Sequence, residues 1–229
     1  MKKYKVLLFD IDDTLLDFDK AETLSIIECF IKYDIKYNSD VVKHYKEINL
    51  RYWKEFEKGN ITIPNLMVDR FKELLSIYKK ELVGIASEFN EYYLSRLNLK
   101  NEIIPNADIV IKKLLKEYQI YPASNGVGDT QVERVESSKL KGLFDKYYVS
   151  GFIGYQKPSI EFFDYIFKDL KSVDKSEILM IGDSLTSDIK GGINAGIDTC
   201  WFNYRNHERG SVKPTYEINS LEELLDILY

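Results

Sequence analysis

The chain has 229 residues, of which 45% are hydrophobic and 30% are charged, so it can bury a large core in one or two domains. This excludes a disordered chain and a small protein that depends on disulfides. Its 32 lysines and arginines and 37 aspartates and glutamates give a net charge of -5 without a basic block, which excludes a dedicated partner of nucleic-acid polymers. No apolar run approaches the ~18 residues of a membrane span or the hydrophobic region of a signal peptide, so we expect a cytoplasmic protein with no membrane partner.

The first predicted element is a strand over Val6–Phe9. Every position in it is apolar, whereas a strand with one solvated face would alternate. A strand of this kind is covered on both faces, which is typical of a parallel sheet in an α/β protein.

Residues 17–99 have a different character, with long amphipathic stretches and almost no strand signal. This pattern predicts an inserted bundle of four helices. We assign the apolar face of the first helix to Leu24, Ile27, Phe30 and Ile31. Residues 1–16 and 100–229 then form the α/β core, and residues 17–99 form a helical domain inserted into it.

Short apolar runs predict further strands in the C-terminal part of the chain, over residues 118–123, 147–150, 178–181 and 197–202. Helical segments separate them, as crossovers between parallel strands require. Pro122 lies inside the first of these runs and has no N–H for the ladder, so we expect a bulge there.

Two acidic residues, Asp10 and Asp12, follow the first strand. Ligands of open α/β sheets bind at the carboxyl ends of the strands, and residues two apart can project to the same side. Neighbouring carboxylates repel unless a cation or proton shares the site, so the pair indicates a metal site or a division into acid and base. Alternatively the run is a solvated loop, or a helix start capped by Asp13 and Thr14.

Three later segments add polar residues suited to one phosphate group. Residues 124–126 read Ser-Asn-Gly, and residues 182–188 contain Asp183 and Asp188; both segments follow predicted strands. Lys157 precedes a predicted helix over residues 160–170, where its ammonium can pair with an anion. Each segment alone also fits ordinary structure, as a turn, a surface charge or a capped turn.

Together and in this order, the four segments resemble the motifs of the haloacid dehalogenase superfamily of phosphotransferases. The resemblance covers residues 4–17 and 105–202. It implies a Rossmann-like parallel sheet with a helical cap inserted after the first motif. Members that cleave carbon–halogen bonds lack the second aspartate, so Asp12 favours phosphoryl chemistry over dehalogenation.

The resemblance also implies a role for each motif residue. Asp10 would attack phosphorus and form an aspartyl-phosphate that water hydrolyses. Asp12 would protonate the leaving alkoxide and then take a proton from that water. Lys157 would neutralise charge on Asp10 and on the phosphoryl group. Phosphate oxygens would be held by three neighbouring residues: Ser124, Asn125 and Gly126.

The implied cofactor is magnesium (Mg2+), a hard cation that prefers oxygen ligands. Its ligands would be the Asp10 and Asp183 carboxylates and the main-chain carbonyl of Asp12. Asp188 would bind it either directly or through water.

The implied partner is a small phosphate ester. Residues 49–61 and 191–203 look like a bacterial subgroup of pyrimidine 5'-nucleotidases, so a nucleoside monophosphate is the leading substrate. A sugar-phosphate phosphatase or a phosphomutase of the same fold stays open, as does a non-catalytic module that binds a phosphorylated metabolite. Five residues are candidates to contact a base, although the aromatic ones also fit a bundle core: Asn49, Arg51, Tyr52, Trp53 and Phe56.

Overall fold

The computed structural model describes residues 3–229, and within them one sheet of parallel strands forms the core. The strands are β1 (Val6–Phe9), β2 (Gln119–Ser124), β3 (Tyr148–Val149), β4 (Ile178–Gly182), β5 (Asp198–Phe202) and β6 (Tyr216–Ile218). Their spatial order is β3-β2-β1-β4-β5-β6, and each neighbouring pair is parallel. This confirms the predicted α/β class with a Rossmann-like parallel sheet.

The helices lie in the inserted segment, between these strands and after β6. They are α1 (Phe18–Lys32), α2 (Ser39–Glu57), α3 (Ile63–Tyr78), α4 (Ala86–Leu97), α5 (Ala107–Leu114), α6 (Gly128–Glu136), α7 (Ser150–Ile153), α8 (Ile160–Asp169), α9 (Lys190–Ala195) and α10 (Glu223–Leu228). Short 3-10 turns cover Lys80–Ile85 and Lys175–Glu177, and a π-helical turn covers Leu185–Ile189. None of the helices in the described part of the chain is both long and apolar enough to span a membrane.

The chain forms two compact units. One comprises the described residues up to Asp17 together with Glu102–Tyr229, and the other is Phe18–Asn101. The first unit contains the sheet and the second contains α1 to α4. That the helical unit acts as a cap stays a prediction.

Strand β1 lies inside the sheet and is fully buried. Leu7 and Phe9 belong to the core cluster that includes residues of α5 and α10. Val6 and Leu8 belong to a second cluster, with residues of α8. Because successive side chains of a strand point to opposite faces, both faces of β1 need apolar residues.

Pro122 does not produce the expected bulge. The register of β1 and β2 is continuous from Val6 opposite Gln119 to Phe9 opposite Pro122. On its other side, β2 pairs with β3 only at Ala123 and Ser124. Pro122 therefore precedes the paired part of that ladder, where a missing N–H donor costs little.

Helix α1 buries a face that only partly matches the one we assigned by large apolar residues. Leu24 and Ile31 are 41% and 65% exposed, so the assignment is wrong for these two residues, whereas Phe30 is buried as predicted. The buried side includes three small residues, Ala21, Ser25 and Cys29, spaced four apart. Helix α1 packs against α4, and small residues allow two helices to approach closely. A pattern of large apolar residues does not detect such a face.

Candidate active site

Polar side chains collect at the carboxyl end of the sheet, where β2, β1 and β4 lie side by side. Asp10 follows β1, Ser124 ends β2, and Asp183 follows β4. A 2.8 Å hydrogen bond from the Asp10 N–H to the Ile181 carbonyl ties the end of β1 to β4. Parallel pairing thus brings segments that are distant in sequence to one edge.

Asp10, Asp183 and Asp188 form a cluster of carboxylates. Each residue offers one oxygen atom, and these three atoms lie within 4.8 Å of one another. Asp10 and Asp188 are buried, while Asp183 is partly exposed. Three anions this close repel one another and require positive charge nearby.

Lys157 supplies positive charge to this cluster. Its Nζ atom lies 2.6 Å from Asp10 Oδ1 and 2.6 Å from Asp188 Oδ1, and it donates to the Ala123 carbonyl at 2.5 Å. The residue is 1% exposed. Because an ammonium has three N–H donors, these three acceptors determine its position.

Burial and charge shift the pKa values of Asp10, Asp183 and Lys157. Burial raises the pKa of Asp10 to about 8, against the lowering effect of Lys157. Desolvation also raises the pKa of Asp183 well above its ordinary value, and the charge of Asp10 adds to this. Burial alone would lower the pKa of Lys157, but Asp10 and Asp188 outweigh burial and raise it. The neighbouring carboxylates therefore keep Lys157 charged, whereas Lys157 alone does not offset the burial of Asp10.

The donor set of this cluster fits a hard divalent cation such as Mg2+. The three residues offer carboxylate oxygens, which are the ligands that Mg2+ prefers. Three carboxylates and the Lys157 ammonium sum to a formal charge of two negative units. A divalent cation would neutralise that charge.

Two residues hold the main chain of Asp183. Its N–H donates to Thr14 Oγ1 at 3.1 Å, and its carbonyl accepts from Trp201 Nε1 at 2.7 Å. Trp201 is buried, as a core residue would be, and its indole also fixes this loop. Thr14 therefore links the loop after β1 to the loop after β4.

Asp188 lies on the π-helical turn after β4. Its Oδ2 atom accepts a 3.0 Å hydrogen bond from the Ser184 N–H, and its Oδ1 atom binds Lys157. A Cβ added at Gly182 would lie 2.2 Å from Asp188 Oδ2, so glycine leaves the space that this carboxylate occupies. Whether Asp188 binds a metal directly or through water stays a prediction.

Asp12 is bound by a different set of side chains. Arg134 Nη1 donates to its Oδ1 atom, and Gln131 Nε2 donates to its Oδ2 atom at 2.8 Å. Both partners are on α6. A metal contact through the main-chain carbonyl of Asp12 stays a prediction.

The Ser-Asn-Gly segment joins β2 to the lysine loop. The Asn125 side chain donates to the Lys157 carbonyl at 2.9 Å and accepts from the Lys157 N–H at 2.8 Å. The Gly126 N–H donates to Ser150 Oγ at 2.9 Å, and Ser124 Oγ accepts from Gln131 Nε2 at 2.8 Å. Asn125 thus positions the loop that carries Lys157, whereas phosphate contacts by the three residues stay predictions.

Sequence reasoning missed Gln131 and Arg134 as site residues. The available signal is their spacing, because residues three apart share one face of a helix. A Gln and an Arg at this spacing are common on solvated helices, so the pair does not by itself indicate burial or function. Their contacts with Asp12 depend on the sheet register.

Several candidate base contacts of the helical unit are occupied within that unit. Asn49 and Phe56 are buried, and the Asn49 amide is hydrogen-bonded inside the unit. Arg51 and Tyr52 both bind Glu73. Asn49 and Phe56 therefore contribute to the interior of the bundle, as in the alternative interpretation of this segment.

Known proteins are similar to this chain in sequence and in fold. The family model of the haloacid dehalogenase-like hydrolases matches residues 4–196. The HAD-hydrolase YfnB of Bacillus subtilis (strain 168) is 40% identical over 229 residues, which is 100% of this chain and 97% of that protein. A crystal structure of YfnB bound to magnesium has a TM-score of 0.93, with 39% identity and 99% of each chain covered.

Two further relatives are nucleotidases by name. Pyrimidine 5'-nucleotidase PynA of Streptococcus pneumoniae (strain ATCC BAA-255 / R6) is 35% identical over 98% of this chain and 95% of that protein. Pyrimidine 5'-nucleotidase YjjG of Escherichia coli (strain K12) is 30% identical over 99% of this chain and 98% of that protein. The family predicted from the motifs is confirmed. The chain therefore belongs to the haloacid dehalogenase-like hydrolases and is a phosphoric monoester hydrolase of that family.

Proposed function

We propose that this enzyme is a magnesium-dependent 5'-nucleotidase that hydrolyses pyrimidine nucleoside monophosphates through an aspartyl-phosphate on Asp10. The observation that carries the proposal is the group of Asp10, Asp183, Asp188 and Lys157 at the ends of β1 and β4, in which all but Asp183 are buried. The substrate class follows from the similarity to PynA and YjjG along nearly the whole chain.

Asp10 is assigned as the nucleophile. Lys157 holds one of its oxygens, Oδ1, and we assign the attack on phosphorus to the other oxygen, Oδ2. The new bond joins Oδ2 to phosphorus, and the bond from phosphorus to the nucleoside oxygen breaks. Because Lys157 is fixed by three acceptors, it holds the nucleophile in one orientation without reorganisation during the reaction.

Asp12 is assigned the proton transfers. It enters the first step as the carboxylic acid and gives its proton to the departing nucleoside oxygen. In the second step the resulting carboxylate takes a proton from the water that attacks the aspartyl-phosphate, which restores the acid. The second step restores the Asp10 carboxylate and releases phosphate. Asp12 is suited to this because its carboxylate is held by Arg134 and Gln131 rather than by Lys157.

Asp10, Asp183 and Asp188 are the residues that would hold Mg2+, together with the main-chain carbonyl of Asp12. When bound, the cation supplies charge stabilisation for the phosphoryl oxygens. Ser124 and the following backbone are assigned to the same oxygens. Selection of the base by the helical unit stays a prediction.

The test is phosphate release from a substrate panel. The panel contains pyrimidine and purine nucleoside monophosphates, sugar phosphates and p-nitrophenyl phosphate, each with magnesium and with chelator. We expect release that requires magnesium and is fastest with the pyrimidine nucleotides. Asp10→Asn lowers it by about 1,000-fold or more, because the nucleophile is removed. Asp145→Asn makes the same chemical change at an exposed position and leaves activity unchanged.

Other outcomes distinguish the alternatives. Faster release from sugar phosphates would keep the chemistry and replace the substrate class. Return of the phosphoryl group to another position of the substrate would indicate a mutase. Absence of turnover with every ester would contradict the proposal and favour a module that only binds phosphorylated metabolites.

A further inference from the structure

A buried pair of side chains on α6 contacts Asp12. We propose that Gln131 and Arg134 are positioning residues, which hold the carboxyl group of Asp12 in the orientation needed to protonate the leaving group. Gln131 also holds the Ser124 hydroxyl. The inference rests on the proposed function, since it assumes the acid role of Asp12. It adds two residues outside the motif segments to the catalytic arrangement.

The contacts form a connected network. Arg134 Nη1 donates to Asp12 Oδ1 and to Gln131 Oε1, the latter at 2.9 Å. Gln131 Nε2 donates to Asp12 Oδ2 and to Ser124 Oγ, both at 2.8 Å. The arginine thereby determines which way the glutamine amide faces, because its bond to Oε1 directs Nε2 towards Asp12 and Ser124.

Gln131 and Arg134 are buried, which distinguishes their contacts with Asp12 from hydrogen bonds on the protein surface. Gln131 is 3% exposed and Arg134 is 1% exposed, although both belong to residue types that usually lie in water. Burying a guanidinium requires a charge partner, and Asp12 provides one. The helix places both residues on one face, because they are three positions apart. Two buried polar residues of α6 therefore bind the Asp12 carboxylate.

The geometry leaves Asp12 able to exchange a proton. A carboxylate has about four acceptor positions, and the bonds from Arg134 and Gln131 use one on each oxygen. The remaining positions stay available to the leaving oxygen and to water. Two bonds from one rigid helix fix the plane of the carboxylate, and proton transfer depends steeply on such positioning.

The basicity of the leaving group distinguishes two roles for Gln131 and Arg134: positioning of the acid, and stabilisation of the fold. A nucleoside 5'-oxygen is strongly basic and needs a proton as its bond to phosphorus breaks. The p-nitrophenolate ion is weakly basic and departs without one. Loss of acid positioning therefore slows release of the nucleoside and spares release of p-nitrophenol. Loss of folding lowers both to the same extent.

The experiment uses single turnovers with enzyme in excess over substrate, so that release of the leaving group is measured apart from hydrolysis of the aspartyl-phosphate. The variants are Gln131→Met, Gln131→Glu and Arg134→Met. We expect each to slow nucleoside release by about 10- to 100-fold, part of the ~100- to 10,000-fold that a general acid supplies, with KM little changed. Release of p-nitrophenol falls less than about threefold, because this leaving group departs without a proton.

Further variants distinguish loss of a hydrogen-bond donor from loss of stability. Gln131→Glu keeps the shape of the side chain but has no N–H to donate, so it is at least as slow as Gln131→Met. Arg134→Lys keeps a charged donor and recovers part of the rate. Val135→Ala removes a buried apolar group from the same helix, so it lowers stability without changing the ratio of the two release rates.

Asp12→Asn decides which claim fails if the expected pattern is absent. If Asp12→Asn spares p-nitrophenol release but the α6 variants slow both substrates equally, the positioning role is wrong and the proposed function stands. If Asp12→Asn slows both substrates equally, the acid role itself is wrong. Should Arg134→Met fail to fold, the two glutamine variants decide the question alone.

Discussion

Lys157 is a fully buried lysine whose three N–H donors meet two carboxylates and a carbonyl. Burial of an unpaired ammonium would be unfavourable, but Asp10 and Asp188 outweigh this and raise its pKa. The lysine therefore remains charged throughout the range in which the enzyme would work. Lys157 therefore stabilises the fold and, in the proposed function, orients the nucleophile Asp10.

Replacement of Lys157 by Met tests this double role. We expect activity to fall by about 100-fold or more, because the charge beside Asp10 is lost. We also expect the free energy of unfolding to fall by about 3–5 kcal/mol, because Asp10 and Asp188 are left buried without their partner. Phosphate release and urea denaturation at neutral pH measure the two effects.

Lys146→Met is the matched control for that substitution. Lys146 pairs with Asp169 on the surface, where its side chain is 41% exposed. Such a pair contributes about 0–1 kcal/mol, so stability and activity stay close to those of the unchanged enzyme. Equal losses in the two lysine variants would contradict the role assigned to Lys157.

Site residues next to strand ends were predictable from the sequence, whereas the side chains that bind and orient them were not. Asp10 and Asp183 follow apolar runs, so their place at the sheet edge follows from the pattern of each run. Gln131 and Arg134 lie on the buried side of α6, although their residue types usually lie in water. Their burial arises from tertiary packing, which spacing alone does not reveal.

The turn after β4 is the element that places Asp188. Five residues, Leu185–Ile189, form a π-helical turn, and Ser184 caps it by accepting a 3.2 Å hydrogen bond from the Ser187 N–H. Turns of this kind widen a helix locally and are frequent at functional sites. Here the wider turn returns the Asp188 carboxylate towards Gly182 and Lys157.

Gly182→Ala tests how much space the Asp188 carboxylate has beside residue 182. The added Cβ would lie 2.2 Å from Asp188 Oδ2, so the carboxylate has to move. We expect destabilisation by about 1–3 kcal/mol, as for other overpacked sites, and activity reduced by about tenfold because Asp188 also holds Lys157. Chemical denaturation and phosphate release are the measurements.

Gly84→Ala is the control for the added methyl group. A Cβ at Gly84 would meet no atom within 4 Å, so stability and activity stay nearly unchanged. An active, fully stable Gly182→Ala enzyme would show that the turn tolerates displacement of Asp188.

Elements were predictable where packing follows the size of side chains. Strand β1 is apolar at each position because both of its faces meet a core cluster. The buried face of helix α1 was predicted only in part, because beside Phe30 it carries the small residues Ala21, Ser25 and Cys29. Pro122 was expected to distort β2, yet the short partner β3 leaves its position unpaired on that side. How closely small residues pack, and where a strand stops pairing, are set by the assembled fold.

At the scale of the whole molecule, we expect the acidic cluster to make stability depend on a cation. A ligand that binds the folded state alone stabilises it by about 2.7 kcal/mol at a concentration of 100 times Kd. The cluster joins the loops after β1 and β4 to the turn that carries Asp188. Saturation of the site therefore stabilises the unit that contains the sheet.

Thermal unfolding with and without magnesium measures this coupling. We expect magnesium to raise Tm by about 5–10 °C, as the free energy above implies for a protein of this size. In Asp183→Asn the rise is mostly lost. Without magnesium that variant unfolds at the same or a higher temperature, because one of three repelling carboxylates is gone. Equal rises in both proteins would place the cation elsewhere.

The central claim is that Asp10 carries the phosphoryl group during turnover, and the most direct measurement is its detection there. The enzyme is quenched with acid while it hydrolyses a pyrimidine nucleoside monophosphate, digested, and its peptides are identified by mass spectrometry. We predict a phosphoryl group on Asp10 that is absent from Asp10→Asn and from enzyme quenched before substrate is added. A phosphoryl group on another residue, or turnover by Asp10→Asn at the unchanged rate, would contradict the account.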